Sequence, residues 1–207
     1  MICADRIEKL RVEVRARLSD KRYAHTLGVE RAAIRVGEYC LPDRISELAT
    51  AALLHDVAKE MPREDQLAAM ERSGIAFTTE DYDSYALYHA FAAYVLVCEE
   101  FSDIATDDIL SAVFKHTSGD FQMSVFDEII FIADFVEDGR EYSACKEIRN
   151  LLFSRLSAAK NREECLQILH LMVVEVIDFT FKYLEEKGKS VNSRMVLAKK
   201  AVLAKIN

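Results

Sequence analysis

The chain has 207 residues, of which 51% are hydrophobic, and a formal net charge of −8. This composition excludes a disordered chain and a broad nucleic-acid-binding surface, which needs basic residues, and no apolar run is long enough to span a membrane. Only 6 glycines and 2 prolines are present. Because these residues commonly break regular structure, their scarcity predicts an all-α fold of long helices, a single helical bundle.

Cysteine usage and the N-terminus indicate the compartment. The five cysteines are scattered and lack paired spacing, which predicts free thiols in a reducing environment. The first residues become charged at Asp5 and Arg6, without the apolar segment of a signal peptide. We therefore expect a cytoplasmic protein.

Apolar residues recur at helical spacing along most of the chain. In the first half, the pattern predicts helices over 5–18, 21–39, 43–59, 64–72 and 84–100, with a loop over 75–83. In the second half, it predicts a helix from the capping residues 106–108 to 116, followed by helices over 125–136, 141–156, 161–187 and 190–205. No linker or repeat interrupts this pattern. We expect one domain over 1–207, with a metal-binding core at about 20–140 and the C-terminal helices of 141–207 packed on it.

The stretch 51–59 places His55 and Asp56 side by side in an apolar segment. Burying an unpaired imidazole or carboxylate is unfavourable, so the pair requires partners, either hydrogen bonds or a metal ion. Lys59 follows Asp56 by three residues and would share its face of a helix. Two ligand-type residues beside a cation indicate a site for a metal and then for a negatively charged substrate.

Four further residues are candidate ligands. Asp134 has only apolar neighbours at 130–133, 135 and 136, so its carboxylate needs a counter-charge or several donors. His25 and His89, each taken alone, are better explained as hydrogen-bonded histidines than as ligands, and His116 is compatible with a helix C-terminus favoured by the dipole. His170 also lies on an apolar helix and shows that apolar flanks do not identify a ligand.

The ordered set formed by these residues resembles a known family. The order H…HD…H…H…D is similar to that of the HD-domain metal-dependent phosphohydrolases. The stretches 53–59, 116–119 (HTSG) and 132–137 (IADFVE), followed by Arg140, resemble more narrowly the YqeK-type HD proteins, which are symmetrical dinucleoside tetraphosphate hydrolases. The resemblance covers about residues 22–149. The chain differs at Ser118, where threonine is common, and at Asp138, where proline is common and the aspartate adds a negative charge.

The resemblance implies a centre with two divalent metal ions, in which iron is favoured. Nitrogen and oxygen ligands without thiolates also suit manganese, cobalt, nickel or zinc. The implied ligands are His25, His55, Asp56 and Asp134 for the first metal, and His89 and His116 for the second. Asp56 would bridge both ions, since a carboxylate has two oxygens.

Several residues are expected to contact substrate phosphates. Lys59 would neutralise a phosphate oxygen and, together with Asp56, is a predicted catalytic residue. Arg140 could bind phosphate through its planar guanidinium, and Arg22 shares the helix face of His25. For the three cations the alternative is a solvated surface charge. The loop residues Thr117, Ser118 and Gly119 could offer hydroxyl and backbone N–H groups to the same anion.

The predicted function is hydrolysis of diadenosine tetraphosphate to two ADP by metal-activated water. The residues alone reach only a binuclear metal phosphohydrolase of a small anionic substrate. Alternatives are an HD phosphohydrolase acting on a nucleoside mono- or triphosphate, or a nucleotide-binding regulatory module. The predicted partner is a small nucleotide, not nucleic acid or a membrane. The oligomeric state is open, since the apolar helix over 166–181 could pack against a second copy to form a homodimer as well as against the core.

Overall fold

The structure is a computed structural model and describes residues 2–206. Over these residues it contains eleven α-helices, two short 3₁₀-helices and no strand, which confirms the predicted all-α class. The α-helices are α1 (Ala4–Arg15), α2 (Asp20–Cys40), α3 (Ile45–Leu54), α4 (Arg63–Arg72), α5 (Thr79–Asp83), α6 (Tyr88–Glu100), α7 (Asp107–Lys115), α8 (Val125–Val136), α9 (Ser143–Ala158), α10 (Arg162–Glu186) and α11 (Ser193–Leu203). The 3₁₀-helices are Pro42–Arg44 and Tyr85–Leu87.

Local capping explains several helix boundaries. The Ser19 side chain accepts a hydrogen bond from the backbone N–H of Arg22 at the start of α2, and Thr106 accepts one from Ile109 at the start of α7. Such hydroxyls satisfy N–H groups that a helix leaves unpaired. Gly188 follows α10 with a φ of 65°, the left-handed conformation that commonly ends a helix. The predicted cap at 106–108 is confirmed at Thr106.

Helix α3 lies at the centre of the fold. Every residue from Leu48 to Leu54 is buried, as expected for a helix that is apolar on all sides. Helices α1, α2, α7 and α8 pack around it. The residues that follow α3, beginning with His55, therefore emerge where several helices meet.

The predicted helix over 43–59 is wrong beyond Leu54. Residues 55–60 form turns, in which the N–H of Val57 donates to the carbonyl of Leu54 at 3.1 Å and that of Lys59 to Asp56 at 2.9 Å. Within these turns the His55 and Asp56 side chains approach each other, with Nε2 of His55 3.5 Å from Oδ2 of Asp56.

The segment before α6 also differs from the prediction. The predicted loop at 75–83 contains the short helix α5, whose start is a reciprocal capping box between Thr78 and Asp81. The predicted helix over 84–100 begins only at Tyr88, after a 3₁₀-turn in which the N–H of Leu87 donates to Ser84. His89 is consequently the second residue of α6 and does not lie in its middle.

The C-terminal helices cover one side of this assembly. Helices α9 and α10 pack on α8, α10 also contacts α2, and α11 packs on α10. Along α10, Leu169, Met172, Val173, Val176 and Ile177 are buried, whereas Leu171 is 40% exposed. Most of the apolar stripe of α10 therefore faces this chain's own core. Among the described residues, no helix combines the length and apolarity needed to cross a membrane.

Candidate metal centre

Six ligand-type side chains from five parts of the chain meet beside the end of α3. They are His25 on α2, His55 and Asp56 after α3, His89 on α6, His116 after α7 and Asp134 on α8. These are the six residues predicted as metal ligands. Apart from His25 and Asp134, which are partly exposed, all are buried. The helices that pack around α3 bring them together.

Asp56 lies at the centre of the cluster. Its Oδ2 is 3.7 Å from Nε2 of His25 and 3.5 Å from Nε2 of His55. Its Oδ1 is 3.3 Å from Nε2 of His89 and 3.6 Å from Nε2 of His116. One carboxylate therefore presents each of its oxygens to a different pair of imidazoles.

Three of the histidines are oriented through Nδ1. His55 Nδ1 donates to the carbonyl of Ala52 at 2.6 Å, and His116 Nδ1 donates to the carbonyl of Val113 at 2.7 Å. A carbonyl can only accept, so Nδ1 is the donor in both rings and Nε2 is the nitrogen that faces Asp56. Nδ1 of His25 lies 3.2 Å from Oε1 of Glu137. This is the arrangement in which proteins present histidine to a metal ion.

The site contains buried atoms that nothing else satisfies. Nε2 of His55 is buried without a hydrogen-bond partner among the described residues, and Nε2 of His25 lacks hydrogen-bond geometry to the Asp134 oxygen that lies 3.1 Å away. Ligand atoms of His25, His55 and Asp134 lie within 4.8 Å of one another, as do those of His55, Asp56 and His116. Buried polar atoms normally have partners, and a divalent cation would supply them here. Imidazoles and carboxylates suit borderline divalent metals, so the residues fit a metal site.

Charges within the cluster favour the ligand forms of its acids. Burial raises the pKa of Asp56, but the imidazoles of His55, His116 and His89 outweigh it and hold that pKa well below its usual range. Burial raises the pKa of Asp134 too, and Arg140 does most to hold it well below its usual range. Both carboxylates are therefore ionised at neutral pH.

The histidines divide into two types. Burial lowers the pKa of His89 and of His116, which leaves both imidazoles neutral and able to act as ligands. Burial also lowers the pKa of His25, but the carboxylates of Asp134 and Glu137 overcome it and raise that pKa to about 9. Nε2 of His25 lies 3.1 Å from Oδ1 of Asp134. Positive charge is attracted to this position, and a metal ion would supply it in place of a proton.

The predicted phosphate-binding cations lie at the edge of the cluster. Arg22 Nη1 donates to Oδ2 of Asp56 at 2.8 Å. Arg140 donates from Nε to the Asp134 carbonyl at 2.6 Å and pairs with its carboxylate. Lys59 Nζ is 2.9 Å from Nε2 of His89 and 3.9 Å from Oδ1 of Asp56. None of these three cations is a freely solvated surface charge.

In the loop after α7, one residue contacts the cluster and two make contacts away from it. The hydroxyl of Thr117 lies 3.1 Å from Nε2 of His89, at the cluster. Ser118 is buried and donates to the carbonyl of Gly119. Gly119 has a φ of 65°, and a Cβ there would lie 2.6 Å from Cβ of Ala198 on α11. These contacts of Ser118 and Gly119 serve the turn and its packing on α11, and the role of all three loop residues in binding an anion stays a prediction.

Two residues at this site were absent from the predicted set. Glu137 is buried, accepts from the N–H of Gly139 at 2.6 Å and holds His25. Arg149 donates to the carbonyls of Val136, Glu137 and Arg140, and so fixes the turn after α8. Glu137 could have been noticed as an acid one helical turn after Asp134. The role of Arg149 has no comparable local signal.

Two other residues lie outside the cluster. Nδ1 of His170 is 2.6 Å from Oε2 of the buried Glu128. This histidine is therefore held by an acid in the core and takes no part in the ligand cluster. The side chain of Asp138 is largely exposed and lies 3.6 Å from Nε of Arg149. The added negative charge of Asp138 is thus directed at this arginine.

A cleft of about 920 Å³ opens beside the cluster. It is bounded by the first half of α2 and by the turn that follows α8. Its lining residues are Lys21, Arg22, Ala24, His25, Arg31, Glu137, Gly139, Arg140, Glu141 and Tyr142. The cleft gives a small molecule direct access to His25, Arg22 and Arg140.

Comparison with known proteins agrees with this site. The HD domain model matches residues 22–138, which include all six ligand-type residues. The chain therefore belongs to the HD-domain family, a family whose hydrolases depend on metal ions. The predicted resemblance is confirmed.

Within the HD-domain family, the chain is similar to hydrolases. The symmetrical bis(5'-nucleosyl)-tetraphosphatase of Bacillus subtilis (strain 168) is 32% identical over 146 residues, which cover 70% of this chain and 77% of the relative. The enzyme of the same name from Staphylococcus aureus (strain NCTC 8325 / PS 47) is 28% identical over 169 residues, 82% of this chain and 86% of the relative. A crystal structure of a predicted HD superfamily hydrolase involved in NAD metabolism, from Clostridium acetobutylicum, is similar with a TM-score of 0.78 and 27% identity, covering 99% of this chain and 98% of that one.

Proposed function

We propose that the protein is a metal-dependent hydrolase that cleaves diadenosine tetraphosphate symmetrically to two ADP. The observation that carries the proposal is the position of Asp56, whose two oxygens face different pairs of imidazoles while cations surround the cluster. A centre of this kind can hold two metal ions and a polyphosphate. The names of the curated relatives supply the nucleotide and the symmetrical cut.

The ligand assignment follows the geometry of Asp56. His25, His55, Asp56 and Asp134 would hold one metal ion. His89 and His116 would hold the second, with Asp56 as the bridge. When bound, the metals would neutralise phosphate oxygens and lower the pKa of water. Iron is the metal we propose, on the resemblance to the family, although manganese, cobalt, nickel and zinc suit the same ligands.

The cations around the cluster position the phosphates. Lys59, Arg22 and Arg140 already lie within 4 Å of cluster atoms, so a phosphate bound there would contact them. Thr117 adds a hydroxyl at the same edge. Burial lowers the pKa of Lys59, and the carboxylate of Asp56 opposes that change. Phosphoryl transfer depends mainly on positioning and on charge stabilisation, which these groups provide.

The reaction balances with water as the only co-substrate. The water oxygen bonds to one of the two central phosphorus atoms. The bond from this phosphorus to the oxygen that joins it to the other central phosphorus breaks. Each half then leaves as ADP, and the protons of water pass to the products and the solvent.

Product analysis tests the symmetrical cut. Purified, metal-loaded protein is incubated with diadenosine tetraphosphate in ¹⁸O-labelled water, and the products are separated by ion exchange. We expect ADP only, with the label in the terminal phosphate of half of the molecules. A mixture of AMP and ATP would contradict the symmetrical cut. Preferred turnover of a nucleoside mono- or triphosphate would instead support another HD phosphohydrolase.

Matched histidine variants test the metal centre. We expect His55→Ala to lose both bound metal and activity, because Nε2 of His55 has no other partner. His170→Ala, a buried histidine outside the cluster, should keep both once its folding has been checked by thermal melting. If His55→Ala keeps nucleotide affinity and wild type shows no turnover, the protein is a nucleotide-binding module and the enzymatic proposal is wrong.

A further inference from the structure

The cleft beside the cluster contains four charged or aromatic side chains that neither the metal centre nor its edge uses. They are Lys21 and Arg31 on α2, and Glu141 and Tyr142 between α8 and α9. The volume of about 920 Å³ lies within the range of small-molecule sites, about 300–1,000 Å³. The cleft is large enough for a ligand that extends well beyond the metal ligands.

The charges of the cleft favour an anion. Arg22 and Arg140 line it and pair with carboxylates of the cluster. Lys21 and Arg31 also line it, and neither has an ion-pair or side-chain hydrogen-bond partner among residues 2–206. Two acids also line the cleft: Glu137 is already held by an imidazole and a backbone N–H, and Glu141 is exposed. The four cations outnumber these two acids. Two cations therefore remain free to bind a ligand in this cleft.

An exposed aromatic ring stands at the same cleft. The side chain of Tyr142 is 77% exposed, and among residues 2–206 its ring packs against no other aromatic ring and no cation. Any of the nucleobases can stack on a ring of this kind, because every base has a π-face. Cations for phosphate and a ring for a base in one cleft match a nucleotide.

We propose that this cleft binds one nucleoside diphosphate half of the dinucleotide, with Lys21 and Arg31 at its phosphates and Tyr142 stacked on its base. The proposal rests on the proposed function and deepens it. Cleavage at the central bond places the middle of the substrate at the cluster, so each half must extend away from it. The cleft shares His25, Arg22 and Arg140 with the cluster edge and continues outward, which gives one half a path.

Variants of Tyr142 test the base contact. Inhibition constants of ADP and of inorganic pyrophosphate are measured against diadenosine tetraphosphate hydrolysis. For Tyr142→Ala we expect about a tenfold weaker inhibition by ADP, the loss of one stacking contact, and unchanged inhibition by pyrophosphate. Tyr142→Phe keeps the ring and should behave as wild type. Tyr183→Ala is the matched control, since Tyr183 is 48% exposed on α10 outside the cleft.

Variants of the two cations test the phosphate contact. Lys21→Gln and Arg31→Gln should each weaken ADP and pyrophosphate alike, by several-fold at low salt, and the effect should shrink as salt screens the charges. Lys189→Gln is the control, an exposed lysine outside the cleft with no ion pair among residues 2–206. The proposal is supported if loss of the ring weakens inhibition by ADP alone and loss of either cation weakens inhibition by both ADP and pyrophosphate.

Other outcomes overturn it. If Tyr142→Ala leaves ADP inhibition unchanged, or weakens ADP and pyrophosphate equally, the base does not stack there. If Lys21→Gln and Arg31→Gln change neither inhibitor, the cleft does not bind the phosphates. If wild type forms no ADP from the tetraphosphate, the proposed function fails. Calorimetric titration of ADP into metal-loaded wild type and Tyr142→Ala then tests separately whether the cleft binds ADP. Equal affinities of the two proteins, or no binding, would refute the proposed ADP site.

Discussion

Replacing Glu137 by glutamine should weaken metal binding although this residue is not itself a proposed ligand. One carboxylate oxygen lies 3.2 Å from Nδ1 of His25, and the other accepts from the N–H of Gly139 at 2.6 Å. Glutamine has the same shape but only one acceptor oxygen. In Glu137→Gln one of the two donors must therefore face an NH₂ group.

Removing the acceptor that orients a metal-binding histidine lowers metal affinity about 10–100-fold, equivalent to about 1.4–2.7 kcal/mol. The unsatisfied buried donor should separately lower the free energy of unfolding by about 1–3 kcal/mol. The carboxylate of Glu137 is also one of the groups that raise the pKa of His25 to about 9, so this pKa should fall in the variant.

Chelator competition measures the metal affinity, and NMR titration of the metal-free protein follows the pKa of His25. The control is Glu141→Gln, which removes an acid from the lining of the same cleft, where Glu141 is exposed and has no side-chain hydrogen bond among residues 2–206. Metal affinity of Glu137→Gln within twofold of both wild type and this control would refute the role of Glu137 in holding His25.

Two further changes test the surroundings of the site. A Cβ at Gly28 would lie 2.2 Å from Oε2 of Glu137, so Gly28→Ala should lower metal affinity in wild type but much less in Glu137→Gln, as a double-mutant cycle would show. Arg194→Leu leaves the buried Asp81 without its cation, and denaturant unfolding at pH 7 should show a loss of about 3–5 kcal/mol. Burial raises the pKa of Asp81 but Arg194 and Thr78 lower it overall. This stabilisation is therefore present above about pH 4, and the difference from wild type should shrink as the pH falls below that value; a constant difference would contradict the reasoning.

Three of the ligand-type residues could be found in the sequence because their chemistry conflicts with their neighbours, whereas His25, His89 and His116 were found only as members of the ordered set. Asp134 sits among apolar residues, and His55 and Asp56 end an apolar helix, so each is conspicuous without a structure. The sequence could not give the distances that make Asp56 central, because these depend on how α2, α6, α7 and α8 pack around α3. Glu137 has a local signal as an acid after Asp134, but its contact with His25 could not be predicted, because the two residues are 112 positions apart.

The prediction for Lys59 was correct about its neighbour and wrong about the element. We expected an α-helix through residue 59, in which positions three apart share a face. The structure has turns there, yet Nζ of Lys59 lies 3.9 Å from Oδ1 of Asp56. Turns closed by i→i+3 hydrogen bonds also align side chains three residues apart, so the proximity does not depend on which element forms. The adjacent pair His55 and Asp56 was predicted to share one metal on the resemblance, and the structure adds the distance of 3.5 Å between Nε2 of His55 and Oδ2 of Asp56.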